Sequence, residues 1–239
     1  MMMMNEHTAK AFDADLQELT RKVAEMGGLA EKQTADAIEA LTRRDTKLGT
    51  TVVSADVTVD ALQREIEEKA ILTIARRQPM AVDLREIVGA LRVANDLERI
   101  GDLAKNIGKR VAVLDGDFSP QKLIRGVDHM SALVLGQLKQ VLDAYASHDI
   151  ASAMEVWKGD EEIDAMCTSL FRELLTYMME DPRNITFCIH LMFCAKNIER
   201  IGDHATNIAE TVYYMIEGHQ ITEQRPKGDT TAFANMPAS

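Results

Sequence analysis

The sequence predicts an all-α protein made of two pseudo-symmetric three-helix bundles, and three observations carry that prediction. A phrase occurs twice: residues 96–107 read DLERIGDLAKNI and residues 197–208 read NIERIGDHATNI. Apolar residues recur at steps of three and four along most of the chain, the spacing of one helix face, with no alternating strand pattern. Aromatic residues are only 5% and prolines number 5 in 239 residues, a composition that favours helix over sheet.

The first predicted helix runs from Phe12 to about Thr42, with Leu16, Leu19, Val23, Met26, Ala30, Ala37, Ile38 and Leu41 on one stripe. Arg43 and Arg44 place positive charge near its C-terminal end, where the helix dipole favours it. The second runs from about Thr46 to Arg77 through Val52, Val59, Leu62 and Ile66, and Pro79 stops it because proline lacks the donor the next turn needs. The third spans about Met80 to Leu114. Residues 115–120, with Gly116 and Pro120, form the clearest break in the chain. The second half repeats the plan, with helices at about Gln121–Ser147, Ile150–Met179 and, after the Asp181-Pro182 cap, on to Glu217.

Two offsets tie the halves together. Glu98, Arg99, Asp102 and Asn106 match Glu199, Arg200, Asp203 and Asn207 at 101 residues, whereas Asp56 and Asp60 match Asp160 and Asp164 at 104. A helix of about 30 residues is about 45 Å long, and three joined by short links make an antiparallel bundle. The expected division is therefore 1–116, 117–219 and a polar, flexible tail at 220–239.

Bulk properties exclude several classes. A net charge of −11 repels nucleic-acid phosphate and anionic membrane surfaces alike. No apolar run approaches the ~20 residues of a membrane span, and the N-terminus lacks the basic and apolar regions of a signal peptide. Three cysteines, an odd number without close spacing, read as buried thiols in a reducing, cytoplasmic setting. None of the dinucleotide-binding, P-loop, zinc-protease or paired-cysteine motifs occurs.

The chemistry lies in the carboxylates. Glu98 and Asp102, four apart, share a helix face with Cβ atoms ~6 Å apart, and Asp56 and Asp60 form a similar pair on the preceding helix. Glu199 with Asp203 and Asp160 with Asp164 repeat the arrangement. Like charges at this spacing repel, and a cation cancels the cost; oxygen-only ligands suit hard ions such as Mg²⁺, Mn²⁺ or Fe³⁺. All eight carboxylates are therefore candidate metal ligands, with Asn106, Asn207 and His204 as additional or supporting groups. The competing reading is a solvated acidic face on which Arg99 and Arg200 make ordinary salt bridges; four pairs in duplicated register weigh against it. Trp157 is read as core or as an interface anchor.

These motifs resemble the PhoU family, over nearly the whole chain from about Phe12 to Glu217. The resemblance rests on Gln78-Pro79-Met80-Ala81 with Asp83-Leu84-Arg85, on residues 96–102, and on residues 199–210. It implies two three-helix bundles, metal ions or clusters held on E/DxxxD pairs, and often a homodimer. It also implies a cytoplasmic negative regulator of the phosphate-starvation response, an adaptor between the ATPase subunit of a phosphate ABC transporter and a sensor histidine kinase, with no enzymatic activity. On that view Arg99 and Arg200 are candidate partner-binding residues. The rival function is a carboxylate-bridged metalloenzyme on a helical bundle, against which the lack of histidine ligands and of an evident nucleophile counts.

Overall fold

The structure is a computed structural model that describes residues 2–114 and 121–225, with side chains from Phe12 and from Leu123 onward in the two stretches. Its helices are α1 (Met2–Arg43), α2 (Thr46–Arg77), α3 (Val82–Val111), α4 (Gln121–Ser147), α5 (Ile150–Lys158), α6 (Asp160–Glu180) and α7 (Ile185–Glu217). Among the described residues there is no strand. The expected chain break at 115–120 and the tail beyond 225 lie outside the described residues.

Several boundaries differ from the sequence reading. The first helix extends ten residues upstream of Phe12, through a stretch without glycine or proline. The third begins at Val82 rather than Met80, because Gln78 and Ala81 on either side of Pro79 take positive φ values of 50° and 48° and no helical hydrogen bond crosses the proline. The fifth is broken at Gly159 into α5 and α6. A Cβ at Gly159 would sit 2.7 Å from Gln137 Nε2, so the glutamine side chain of α4 rests directly over the break. Asp181 does cap a helical turn, but a 3₁₀ turn (Pro182–Asn184) that leads into α7.

The duplication extends to the joints. Asp45 and Asp149, 104 apart, both sit in extended conformation at helix N-termini. Asp45 accepts hydrogen bonds from the backbone N–H groups of Lys47 and Leu48, each at 3.0 Å. Asp149 accepts from Ala151 at 2.9 Å and Ser152 at 3.3 Å. The residue before each cap, Arg44 or His148, is left-handed at φ 56° and 54°. A tight turn thus returns each chain at the same place.

Helices α1–α3 pack together, as do α4–α7, and the two groups meet chiefly through α3 against α7 and α1 against α4. Along α3 the contacts rise from Gly89 to Asp96 to Arg110 while their partners on α7 fall from Met215 to Asn207 to Phe193, so the two helices run antiparallel. Their fit is close: a Cβ on Gly89 would lie 2.2 Å from Met215 Sδ. The core is continuous across the halves, from Val23, Met26 and Ile66 through Leu97 and Ile100 to Met130, Leu138, Ile163, Ile198 and Ile208, all buried. Trp157 belongs to it and donates its indole N–H to Glu210 Oε1 at 3.1 Å. Cys167, Cys188 and Cys194 are buried and form no disulfide, and burial pushes the Cys194 thiol up to about 12.

Losing a side-chain cap costs about 1 kcal/mol. Asp45→Ala and Asp149→Ala should each lower unfolding free energy by about that amount in urea titrations, with equal effects because the caps are equivalent. A loss confined to one variant would show that the joints are not energetically alike.

Candidate functional site

Each half gathers its carboxylates where its second and third helical segments meet. In the first half Asp56 on α2 is buried and Asp60 half-buried, while Glu98 and Asp102 on α3 have side chains 15% and 36% exposed. Burial raises the Glu98 carboxyl above its ordinary range; Arg99 opposes this, and the charges of Asp102, Asp60 and Asp56 add to it. The four expected carboxylates therefore sit close enough to act on one another. In the second half Asp160, Asp164 and Glu199 are all buried. Burial raises Glu199 too, Lys196 opposes it, and Asp203 and Asp164 add to it.

The motif glycine explains the approach. A Cβ on Gly101 would lie 3.2 Å from Gln33 Oε1 and 3.6 Å from Asp56 Oδ1, and one on Gly202 would lie 3.2 Å from Ile163 Cδ1. A side chain at 101 would crowd Gln33 of α1 while meeting Val59 and Asp56 of α2 in ordinary contact, and one at 202 would crowd Ile163 of α6.

Basic groups neutralise the two clusters, and they differ. In the first half Lys105 pairs with Asp56 and, at 3.1 Å, with Asp102. These two hydrogen bonds hold its ammonium well above the usual lysine range. Position 206, its equivalent, is Thr, whose hydroxyl donates to Asp160 Oδ1 at 3.3 Å. The cation there is Arg225, from beyond α7. Its Nε and Nη2 donate to Asp160 Oδ2 and Oδ1 at 2.9 and 2.7 Å, and Nη2 also reaches Asp203 Oδ1 at 2.8 Å. Residues 220–225, read from sequence as the start of a flexible tail, thus include Ile221 packed on the core and Arg225 in the acidic cluster.

Among the described residues five buried side-chain oxygens have no hydrogen-bond partner: Ser131 Oγ, and two matched pairs, Glu98 Oε2 with Glu199 Oε2 and Gln33 Oε1 with Gln137 Oε1. Arg99 Nε is 3.2 Å from Glu98 Oε2, close enough for ionic attraction but off the hydrogen-bond direction. Sequence reasoning missed the two glutamines. The signal was available, because Gln33 and Gln137 lie 104 apart, the offset of the aspartates. Gln33 Nε2 donates to Val52 O at 3.2 Å and Asp56 Oδ1 at 3.4 Å, which points its carbonyl oxygen the other way.

The other expected residues are placed as follows. His204 Nδ1 lies 2.8 Å from Asp96 Oδ1, and Asn207 Nδ2 donates to the same oxygen at 3.4 Å, so both bridge α7 to α3. Asn207 Oδ1 also meets Arg225 Nη1 at 3.5 Å. Asn106 is exposed. Arg99 pairs with Glu98 and, at 3.6 Å, with Asp102, whereas Arg200 is exposed and makes no ion pair among the described residues.

The donor chemistry fits a hard cation: carboxylate and amide oxygens, some orphaned and buried, in a water-poor setting. Among the described residues, no group of three or more His, Cys, Asp or Glu stands close enough to form a metal site as arranged. The carboxylates are instead spaced around Lys105 and Arg225, and a metal ion would draw Asp56, Asp60, Glu98 and Asp102, or Asp160, Asp164, Glu199 and Asp203, inward. It would supply charge neutralisation and a cross-link between helices.

A duplicated helical bundle with an internal acidic cluster per half defines the class of protein. The PhoU domain profile matches residues 23–111 and again 127–212. Curated relatives named phosphate-specific transport system accessory protein PhoU homolog occur in Rhizobium meliloti (strain 1021), 59% identical over 96% of this chain and 97% of the relative, and in Caulobacter vibrioides (strain NA1000 / CB15N), 54% identical over 95% and 98%. The crystal structure of PhoU from Pseudomonas aeruginosa superposes with a TM-score of 0.84 at 38% identity, covering 87% of this chain and all of that one. The phosphate transport system regulatory protein PhoU from Streptococcus pneumoniae gives 0.80 at 26%, over 89% and 100%. The chain belongs to the PhoU family.

A carboxyl whose folded-state pKa is raised destabilises the fold once ionised. That penalty is absent below the ordinary glutamate value of about 4.3 and complete above the raised folded value. Glu199→Gln, in chelator, should therefore raise the melting temperature by a few degrees at pH 7, with the gain vanishing below about pH 4. A gain that persists at pH 3 would show that ionisation is not its cause.

Proposed function

We propose that this chain is a non-enzymatic accessory protein of phosphate uptake. It acts in the cytoplasm as a negative regulator of the phosphate-starvation response, an adaptor between the ATPase subunit of a phosphate ABC transporter and a sensor histidine kinase, and works as a homodimer. The observation that carries this reading is identity of 54–59% to PhoU accessory proteins over essentially the full length of both chains. Two structural features support it. Among the described residues no helix is long and apolar enough to cross a membrane, as an adaptor at a transporter's surface requires. Each half also exposes apolar side chains at the joint before its last helix, Met80 and Val82 in one and Met179 and Ile185 in the other, available to partner proteins.

In this proposal the acidic clusters bind Mg²⁺, Mn²⁺ or Fe³⁺ through Asp56, Asp60, Glu98 and Asp102 and through Asp160, Asp164, Glu199 and Asp203. Matched orphan oxygens in the two halves support it. The ion stiffens each bundle rather than performing chemistry. Arg200 contributes to partner docking, because its guanidinium is exposed and unpaired among the described residues. Arg99 is tied to Glu98 and Asp102 and serves docking less freely.

Deleting the gene should switch on a phosphate-starvation reporter in ample phosphate. The wild-type chain should restore repression, while Arg200→Ala should fold normally and restore it poorly. Continued repression in the deletion strain would remove the regulatory role.

A ligand bound only by the folded state stabilises by mass action, about 2.7 kcal/mol at a hundredfold excess over Kd. Mn²⁺ should thus raise the melting temperature of the chelator-treated protein, and the Asp102→Ala, Asp203→Ala double variant should lose most of that rise. An undiminished rise would place the ion elsewhere.

A further inference from the structure

We propose that Arg225 is an intramolecular cation seated in the second-half carboxylate site, so that a metal ion and the segment after α7 compete for Asp160 and Asp203. The inference rests on the proposed metal binding and adds which half exchanges its cation and what moves when it does.

The two clusters share their acids, their orphan oxygens and their buried glutamine carbonyls, yet their built-in cations differ in covalent origin. Lys105 grows from the third turn-row of the same motif, one turn beyond Asp102, on a helix held by the core. Its ammonium can swing away only by rotation of its own side chain, which moves no backbone. At the equivalent place Thr206 carries no charge, and it is fully buried. Asp160, 2% exposed, would then be a buried carboxylate with one hydroxyl to answer it, an expensive arrangement. Arg225 answers it bidentately, the strong geometry for a guanidinium on a carboxylate, and spans to Asp203.

The tether is short and separable from the core helices. Gly218, at φ 80°, ends α7 in the left-handed conformation that glycine adopts without strain. From there seven residues carry the chain to Arg225, and among residues 219–225 Ile221 packs on the hydrophobic core. Arg225 is thus held by polar contacts, by Ile221 on the core and by the edge contact of His219 with the Tyr213 ring at 5.6 Å between centroids, against a whole helix for Lys105.

A second observation points to a ligand at this site beyond the guanidinium. Glu199 is 93% buried by its 7% exposure, its Oε1 is taken by Lys196 at 2.7 Å, and its Oε2 has no partner. Asp203 and Asp164 act on it electrostatically, so that oxygen belongs to the same acidic cluster. Arg225 reaches Asp160, Asp203 and Asn207 and leaves it unanswered. A metal ion drawing on Glu199, Asp203 and Asp160 would satisfy it, and would do so by displacing the guanidinium from the two aspartates.

If the closed form is populated about nine times in ten, the apparent Kd for a metal is raised about tenfold, since only the open fraction binds. The test uses the full chain, stripped with chelator, titrated with Mn²⁺ alone by calorimetry, beside hydrogen exchange of residues 219–225. Arg225→Ala should bind Mn²⁺ about tenfold more tightly than wild type, and Mn²⁺ should accelerate exchange across 219–225 in the wild-type chain. Binding of equal affinity in both proteins, with exchange at 219–225 unchanged by Mn²⁺, would overturn the competition while leaving metal binding standing. Absence of binding in both would overturn the metal reading and this inference with it. A purely structural Arg225 would lower the melting temperature of the variant without tightening Mn²⁺ binding, and that result also overturns the proposal.

Discussion

The antiparallel packing of α3 against α7 is the constraint on which the rest depends. Each of these helices is the last of its own bundle and also half of the contact between bundles, so each must be apolar on more than one face. That is why α3 buries Ile87, Ala90, Val93, Ala94, Leu97, Ile100, Ala104 and Ile107 along its length. It is also why small residues recur there: Gly89 admits Met215 from the other bundle, and Gly108 meets Gly49 of α2 so closely that a Cβ on either would lie 2.9 Å from the other's carbonyl oxygen. The acidic motif lies beside these buried stripes, facing α2 or α6 at the margin of the core.

Carboxylates at such a margin are costly, because burial removes water faster than it removes charge. The protein meets that cost with cations drawn from different sources. Lys105 and Arg99 belong to the motif helix of the first half, Lys196 to that of the second, and Arg225 to the segment beyond it. The break at Gly159 belongs to the same asymmetry. Its equivalent is Ala55, inside the unbroken α2, whereas Asp160 begins a new helix and presents its carboxylate at a helix N-terminus, where the dipole favours negative charge. Two clusters alike in their acids are therefore unlike in the cations that neutralise them.

His204 and Asp96 illustrate how a duplicated motif acquires a second purpose. Their equivalents are Leu103 and Asn197, which cannot form the same charged pair. The Asp96–His204–Asn207 contact lies between the bundles, touches the second acidic cluster through Asn207 and Arg225, and gives the α3–α7 seam a polar link that the apolar packing alone would not orient.

The sequence by itself determined the helices, the doubling and the family, because helical periodicity and a repeated string of charged identities are local patterns that survive in one dimension. The caps at Asp45, Asp149 and Gly218, by contrast, became visible only in the structure. The eight acids were legible because i and i+4 share a face whatever the tertiary context. The structure alone decided what faces them. Gln33, Gln137, Lys105 and Arg225 come from other turns, other helices or beyond the last helix, and Gln33 and Gln137 rest against the open faces of Gly101 and Gly159. Arg225 is the clearest case: in sequence it lies in a polar stretch after Gly218, and only the folded chain brings it 2.7 Å from a carboxylate 65 positions away. Charge compensation between distant segments is a property of three-dimensional packing, and no periodicity in the chain encodes it.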